Sequence, residues 1–300
     1  MERSPSLPSL SARPSPAAVL ELSKPITWFP PMWAFGCGVL SSGQLSLSNL
    51  GLLAGGVILA GPLLCASSQA VNEWFDRHVD AINEPRRPIP SGRIPGQWGL
   101  AIAIIWSALA LIWAAFLGPV VFLGAAVGVA LSWAYSAPPV RLKRSGVWGP
   151  LSVGLSYEGL AWFTGAAVML QGFPGLPILY LAALYSAGAY GIMVLNDFKA
   201  IEGDRQMGVR SLPATLGPRR AAWAACVSMA IPQAVVAGLL AAWSLPIHAG
   251  LIALALAVQL GLMRRLMRDP KALTPWYNAT GVTVYVLGMA ISAHGVSTLP

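Results

Sequence analysis

The sequence predicts an all-α membrane protein, a bundle of about nine transmembrane helices, and three observations carry that prediction. First, the 300 residues are 56% hydrophobic and only 10% charged, with a mean hydropathy of +0.64. A soluble domain carries roughly 25% charged residues. Second, residues 25–72, 94–140, 221–263 and 272–300 contain no Asp, Glu, Lys or Arg, and 145–196 contains only Glu158. Third, all 19 Lys and Arg lie in residues 1–24 or in the connectors 73–93, 141–144, 197–220 and 264–271.

The elements follow in chain order. Residues 1–23 are rich in Ser and Pro and lack an apolar core. They read as a disordered tail rather than a signal peptide, and 24–300 reads as the transmembrane domain. A spanning helix takes about 20 apolar residues. The four longest charge-poor stretches therefore each hold two spans and a tight turn, and 272–300 holds one. Turn signals sit near the middle of each pair: Ser41-Ser42-Gly43, Gly118-Pro119, Gly172 to Gly175, and Leu245-Pro246. These tips carry no charge, so loops alternate between basic and neutral. By the positive-inside rule the basic face is cytoplasmic, with the N-terminus inside and the C-terminus outside.

The net charge of +8 is thus a topology signal and not a nucleic-acid footprint. Cys37, Cys65 and Cys226 are far apart in apolar stretches and form neither a disulfide framework nor a zinc motif.

Ten of the 11 acidic residues also fall on the basic face. In the connector after the second span, successive helical residues turn about 100°. With Asn72 at zero, Asp76 falls at about 40°, Asp80 at about 80° and Glu73 at about 100°. Four oxygen-bearing side chains share a narrow stripe, and like charges at this spacing repel unless a cation intervenes. Mg²⁺ suits such a set, since it takes oxygen ligands and favours one or two carboxylates plus substrate phosphates. A second segment, Asn196 to Asp204, follows the sixth span. With Asn196 at zero, Asp204 falls at about 80°, Asp197 at about 100° and Glu202 at about 240°. Both segments run into basic, Pro-containing stretches, in the manner of an internal repeat. Binding sites of repeated membrane folds lie between the halves. The expected metal ligands are Asn72, Glu73, Asp76, Asp80, Asn196, Asp197, Glu202 and Asp204; of these, Asn72, Asp76, Asp80, Asp197 and Asp204 are the expected catalytic set. Arg87, Arg93, Arg205 and Arg210 are the expected diphosphate contacts. His78 falls off the stripe and reads as a packing or loop residue.

At these segments the chain resembles the UbiA-type intramembrane prenyltransferases. Asn72-Glu73-x-x-Asp76-x-x-x-Asp80 is similar to the family's NDxxDxxxD signature, with Glu73 where the family usually has Asp. The second segment corresponds to its DxxxD motif, with Ala200 at the first Asp and Asp204 at the second. Lys24 to Pro31, Trp74 to Pro85, Arg87 to Arg93 and Asn196 to Arg205 resemble the chlorophyll and bacteriochlorophyll synthase branch, the bacteriochlorophyll side more closely. The resemblance covers residue 20 to the C-terminus. It implies Mg²⁺-dependent transfer of a geranylgeranyl or phytyl group from its diphosphate to the ring D propionate of chlorophyllide or bacteriochlorophyllide. It also implies a bacterial inner or intracytoplasmic membrane, a cytoplasmic active site, and pigment-biosynthesis or photosystem-assembly proteins as partners.

Glu158 is costly inside a span, roughly 2.5–3.5 kcal/mol for an Asp at a helix centre, so it should face the bundle interior. Tyr157, Glu158 and Trp162 are the expected pigment or prenyl contacts. A quinone-precursor prenyltransferase is the alternative within the class. A transporter is the alternative outside it, and would place polar residues through the membrane toward both faces, whereas here the acids cluster on one.

Overall fold

In the computed structural model, residues 13–299 are described. Twelve helices account for most of them: α1 Pro16–Leu22, α2 Phe29–Ser41, α3 Leu47–Asn83, α4 Trp98–Leu117, α5 Pro119–Ser136, α6 148–170, α7 Leu176–Asn196, α8 Ile201–Met207, α9 Leu212–Leu216, α10 Pro218–Ala242, α11 Pro246–Leu266 and α12 Pro270–Ser297. No strand occurs among the described residues. Pro opens α5, α10, α11 and α12 at a position where its missing N–H costs nothing.

Among the described residues seven helices are long and apolar enough to cross a membrane, against the nine expected, and the chain is a multi-pass integral membrane protein. The other two fall short for identifiable reasons. Helix α2 has 13 residues, a rise of about 20 Å against a hydrocarbon core of about 30 Å. Helix α6 is diluted by Glu158 and several glycines. The tail expectation also needs correction. Residues 16–22 form α1, with Ser15 accepting from the Ala18 amide and Ala18 and Leu22 buried. Residues 1–12 lie outside the described residues.

Contacts sort the loops onto two ends. At one end Gly43 approaches Ser297, Gln171 donates to the Leu117 carbonyl, and His248 pairs with His294. At the other end Lys143 reaches Asp76, the Arg210 amide donates to the Arg144 carbonyl, and Lys271 reaches Glu202. Every charged connector is at this second end. Helix α2 packs between α6 and α12, and α7 packs on α6 and α10.

Close helix approach depends on glycine. A Cβ on Gly38 would collide with the Trp162 carbonyl, and one on Gly165 with the Phe35 carbonyl, so α2 and α6 meet backbone to backbone. Beside this contact Trp162 stacks on Tyr185 at 5.5 Å and donates to Ser41 Oγ at 3.0 Å.

Two helices are locally widened. Residues Leu59–Cys65 of α3 and Leu155–Leu160 of α6 are π-helical, and Pro62 sits in the first. Such turns are frequent at functional sites. The two face each other, since Cys65 Sγ lies 3.4 Å from the Tyr157 hydroxyl.

Candidate active site

Helix α3 has 37 residues, about 55 Å at about 1.5 Å per residue. That length carries its last turns past the apolar layer, and those turns hold the first acidic segment. The second segment follows α7, in a short 3₁₀ turn Asp197–Ala200 and then α8.

One cavity of about 750 Å³ opens between them, lined by Asn72 from the first segment and by Asn196 and Lys199 from the second. The Tyr135 ring on its wall lies within electrostatic reach of Asp76, Asp197 and Asp204 together. Each acidic segment therefore lends residues to one cavity, while Asp76, Asp197 and Asp204 stand near its Tyr135 wall and, with Asp80, are not among the lining residues.

Around the first segment cations already face the carboxylates. Asp76 accepts from Lys143 Nζ at 2.5 Å and from Arg141 Nη2 at 3.4 Å. Asp80 accepts from Arg87 Nη1 at 2.7 Å, while the same guanidinium forks onto Glu84. Asn72 donates to Ser136 Oγ at 3.2 Å. Burial pulls the Lys143 ammonium below its ordinary pKa, and Asp76 opposes that pull. Lys24 and Arg141 hold left-handed backbone conformations, φ 45 and φ 48, which cost roughly 1–3 kcal/mol each and are retained where their side chains face this cluster.

Around the second segment the pattern is opposite. Asp197 and Asp204 make no ion pair among the described residues, and Asp204 has one partner, Ser211 Oγ, at 2.6 Å. Burial, and then the field of Asp204, raises the Asp197 carboxyl above its ordinary pKa, to about 7. Two neighbouring, half-buried acids with no ion pair, and only the field of Lys199 nearby, form a donor set that suits a divalent ion. No group of three or more His, Cys, Asp or Glu converges among the described residues. A closed protein cage is therefore absent there, and Mg²⁺ characteristically completes its shell with phosphate and water.

Several expected residues lie elsewhere. Glu73 is fully buried, with Oε1 accepting from the Ile89 amide at 3.3 Å and Oε2 3.8 Å from Lys24. It anchors the 84–97 connector instead of joining the stripe. Glu202, expected among the metal ligands, points outward to Lys271 at 2.7 Å and is 63% exposed. Arg93 is spent on Glu21 and the Arg86 carbonyl, pinning α1. Arg205 bonds the Ala214 carbonyl. Arg210 lines a separate cavity with Arg141 and Arg144. Trp162 is buried in the core and does not line the main cavity; Tyr157 and Glu158 do. His78 is exposed.

The cavity wall includes residues the sequence reading passed over. Gln69 lies on this wall, and its Nε2 donates to the Tyr157 hydroxyl at 3.1 Å. It precedes Asn72 by three positions, which puts it at about 60° on the same stripe. Extending the periodicity inward would have found it. Lys199 stands inside the second segment and lines the cavity, but a lone Lys among loop charges carries no distinguishing signal.

Residues 27–293 match the UbiA prenyltransferase family. The chain is 57% identical to the bacteriochlorophyll synthase 33 kDa chain of Cereibacter sphaeroides, over 96% of each chain. It is 55% identical to the protein of that name from Rhodobacter capsulatus, again over 96% of each. Its fold is similar to that of a UbiA homologue from Archaeoglobus fulgidus solved with DMAPP and Mg²⁺, with a TM-score of 0.71 at 19% identity, covering 94% of this chain and 100% of that one.

Proposed function

The chain belongs to the UbiA prenyltransferase family, and from that premise we propose that it is a bacteriochlorophyll synthase. It transfers a geranylgeranyl or phytyl group from the diphosphate to the ring D propionate of bacteriochlorophyllide. The observation that carries the site assignment is the single cavity flanked by Asn72 and Asn196, one from each acidic segment. The near full-length relatives that bear this name support the choice of acceptor.

The residues fit a metal–diphosphate. Asn72, Asp76 and Asp80 would hold one Mg²⁺ and Asp197 and Asp204 a second, and the ions would neutralise the diphosphate and make it a better leaving group. Lys143 and Arg87 beside Asp76 and Asp80, and Lys199 on the cavity wall, would supply positive charge to the diphosphate. The prenyl C1–O bond breaks with its electrons going to diphosphate, and a propionate oxygen bonds C1. Tyr135 and Tyr157 line the cavity, where ring faces stabilise an allylic cation and exclude water. The acceptor is already a carboxylate, so no strong general base is required. The charged end faces the cytoplasm, as the distribution of Lys and Arg implies.

The test is an assay of purified protein with Mg²⁺, geranylgeranyl diphosphate, and bacteriochlorophyllide or chlorophyllide. An esterified pigment, formed faster from bacteriochlorophyllide and lost on chelation, supports the proposal. Alkylation of a hydroxybenzoate ring in place of either pigment would overturn it.

A further inference from the structure

The deep wall of the cavity is polar where a hydrocarbon tail needs nothing polar. Thr27, Cys65, Gln69 and Tyr157 satisfy one another there: Gln69 donates to the Tyr157 hydroxyl at 3.1 Å, Cys65 Sγ lies 3.4 Å from that hydroxyl, and Thr27 Oγ1 lies 3.5 Å from Cys65 Sγ. Glu158, next in sequence to Tyr157 on the same π-helical turn, is different. Its carboxyl has no hydrogen-bond or ion-pair partner among the described residues, and Oε2 is completely buried. The residue's remaining exposure is to the cavity it lines.

An unpaired buried polar group costs about 1–3 kcal/mol, and an isolated buried carboxylate takes up a proton rather than stay charged. Glu158 is therefore a neutral acid with an O–H to donate and no acceptor in the protein. A prenyl chain has no acceptor atom. The macrocycle of a chlorophyllide carries carbonyl oxygens on its rim.

We propose that Glu158 is a specificity residue for the acceptor, donating a hydrogen bond to a peripheral carbonyl of the tetrapyrrole. The cavity is thereby divided, with the polar α3–α6 wall facing the pigment and the prenyl chain lying along apolar surface. This inference rests on the proposed function and adds the orientation of its acceptor.

The test separates the two substrates. Glu158→Leu should raise the KM for bacteriochlorophyllide by about tenfold or more, the order expected when a buried ligand hydrogen bond is lost. The KM for geranylgeranyl diphosphate should stay within about twofold, and Glu158→Gln, which keeps a donor, should retain most of the acceptor affinity. A second arm needs no variant: the wild-type protein should bind an acceptor whose rim carbonyl is reduced to methylene correspondingly more weakly. Unchanged acceptor KM in Glu158→Leu, a rise confined to the prenyl diphosphate, or no discrimination against the deoxygenated acceptor by the wild-type protein would each overturn the assignment. If the wild-type protein esterifies neither pigment, the proposed function fails; if it does and these contrasts are missing, only the role of Glu158 fails.

Discussion

Replacing Asp76 by Asn tests the electrostatics of the cavity mouth with almost no change in shape. Asp76 is the anion that faces Lys143 and Arg141, and its side chain is 20% exposed. The substitution removes one negative charge and leaves both cations in place, so the mouth becomes more positive by one unit. A charge about 5 Å away at an effective dielectric of about 20 is worth roughly 3 kcal/mol. Partial exposure screens some of that, to about 2–3 kcal/mol. At about 1.36 kcal/mol per tenfold, kcat/KM should fall by about 30- to 150-fold. The Mg²⁺ concentration for half-maximal rate should rise in parallel. The assay is esterification of bacteriochlorophyllide by purified protein in detergent across a Mg²⁺ titration. The amide still accepts from Lys143, but the carboxylate that offsets the burial of that ammonium is gone, so the melting temperature should fall modestly while the protein stays folded. Turnover near wild type with an unshifted Mg²⁺ midpoint would refute the reasoning, because the charge would then have no role at the mouth.

Two further contrasts follow. Asp204→Asn should cost at least about tenfold in kcat/KM, an estimate that follows the same Coulomb arithmetic, whereas Glu202→Gln, whose carboxylate faces Lys271 on the surface, should leave turnover within about twofold. Equal losses in the two variants would put Glu202 back among the ligands. Gly38→Ala forces a methyl against the Trp162 carbonyl and should destabilise the bundle by about 1–3 kcal/mol; an unchanged thermal melt in detergent would show that α2 and α6 can separate freely.

Charge segregation made the fold legible, because a bilayer permits charges only where helices end. The count of nine is left unconfirmed at α2 and α6. In α2 the span is short, and in α6 a buried acid and glycines for close packing lower the hydropathy. Glu202, expected among the ligands although it falls off the stripe, faces Lys271 on the surface. The stripe arithmetic misjudged Glu73, which lies at the edge of the stripe and is drawn away by the Ile89 amide and Lys24. Those partners come from elsewhere in the chain, and helical periodicity says nothing about them. Arg93 and Trp162 failed for the same reason: Glu21 claims the first and the Ser41–Tyr185 contacts claim the second. Residues 16–22 sit in a Ser- and Pro-rich tail without an apolar core of its own, yet α1 buries Ala18 and Leu22 against α3.

The most direct measurement is the position of the metal and diphosphate themselves. A structure with Mn²⁺ and a non-hydrolysable geranylgeranyl thiodiphosphate, read by anomalous scattering, should place metal beside Asp76 and Asp80 and beside Asp197 and Asp204, with phosphorus between them. Phosphorus in the separate pocket of Arg141, Arg144 and Arg210, with no metal at the acidic segments, would contradict the account.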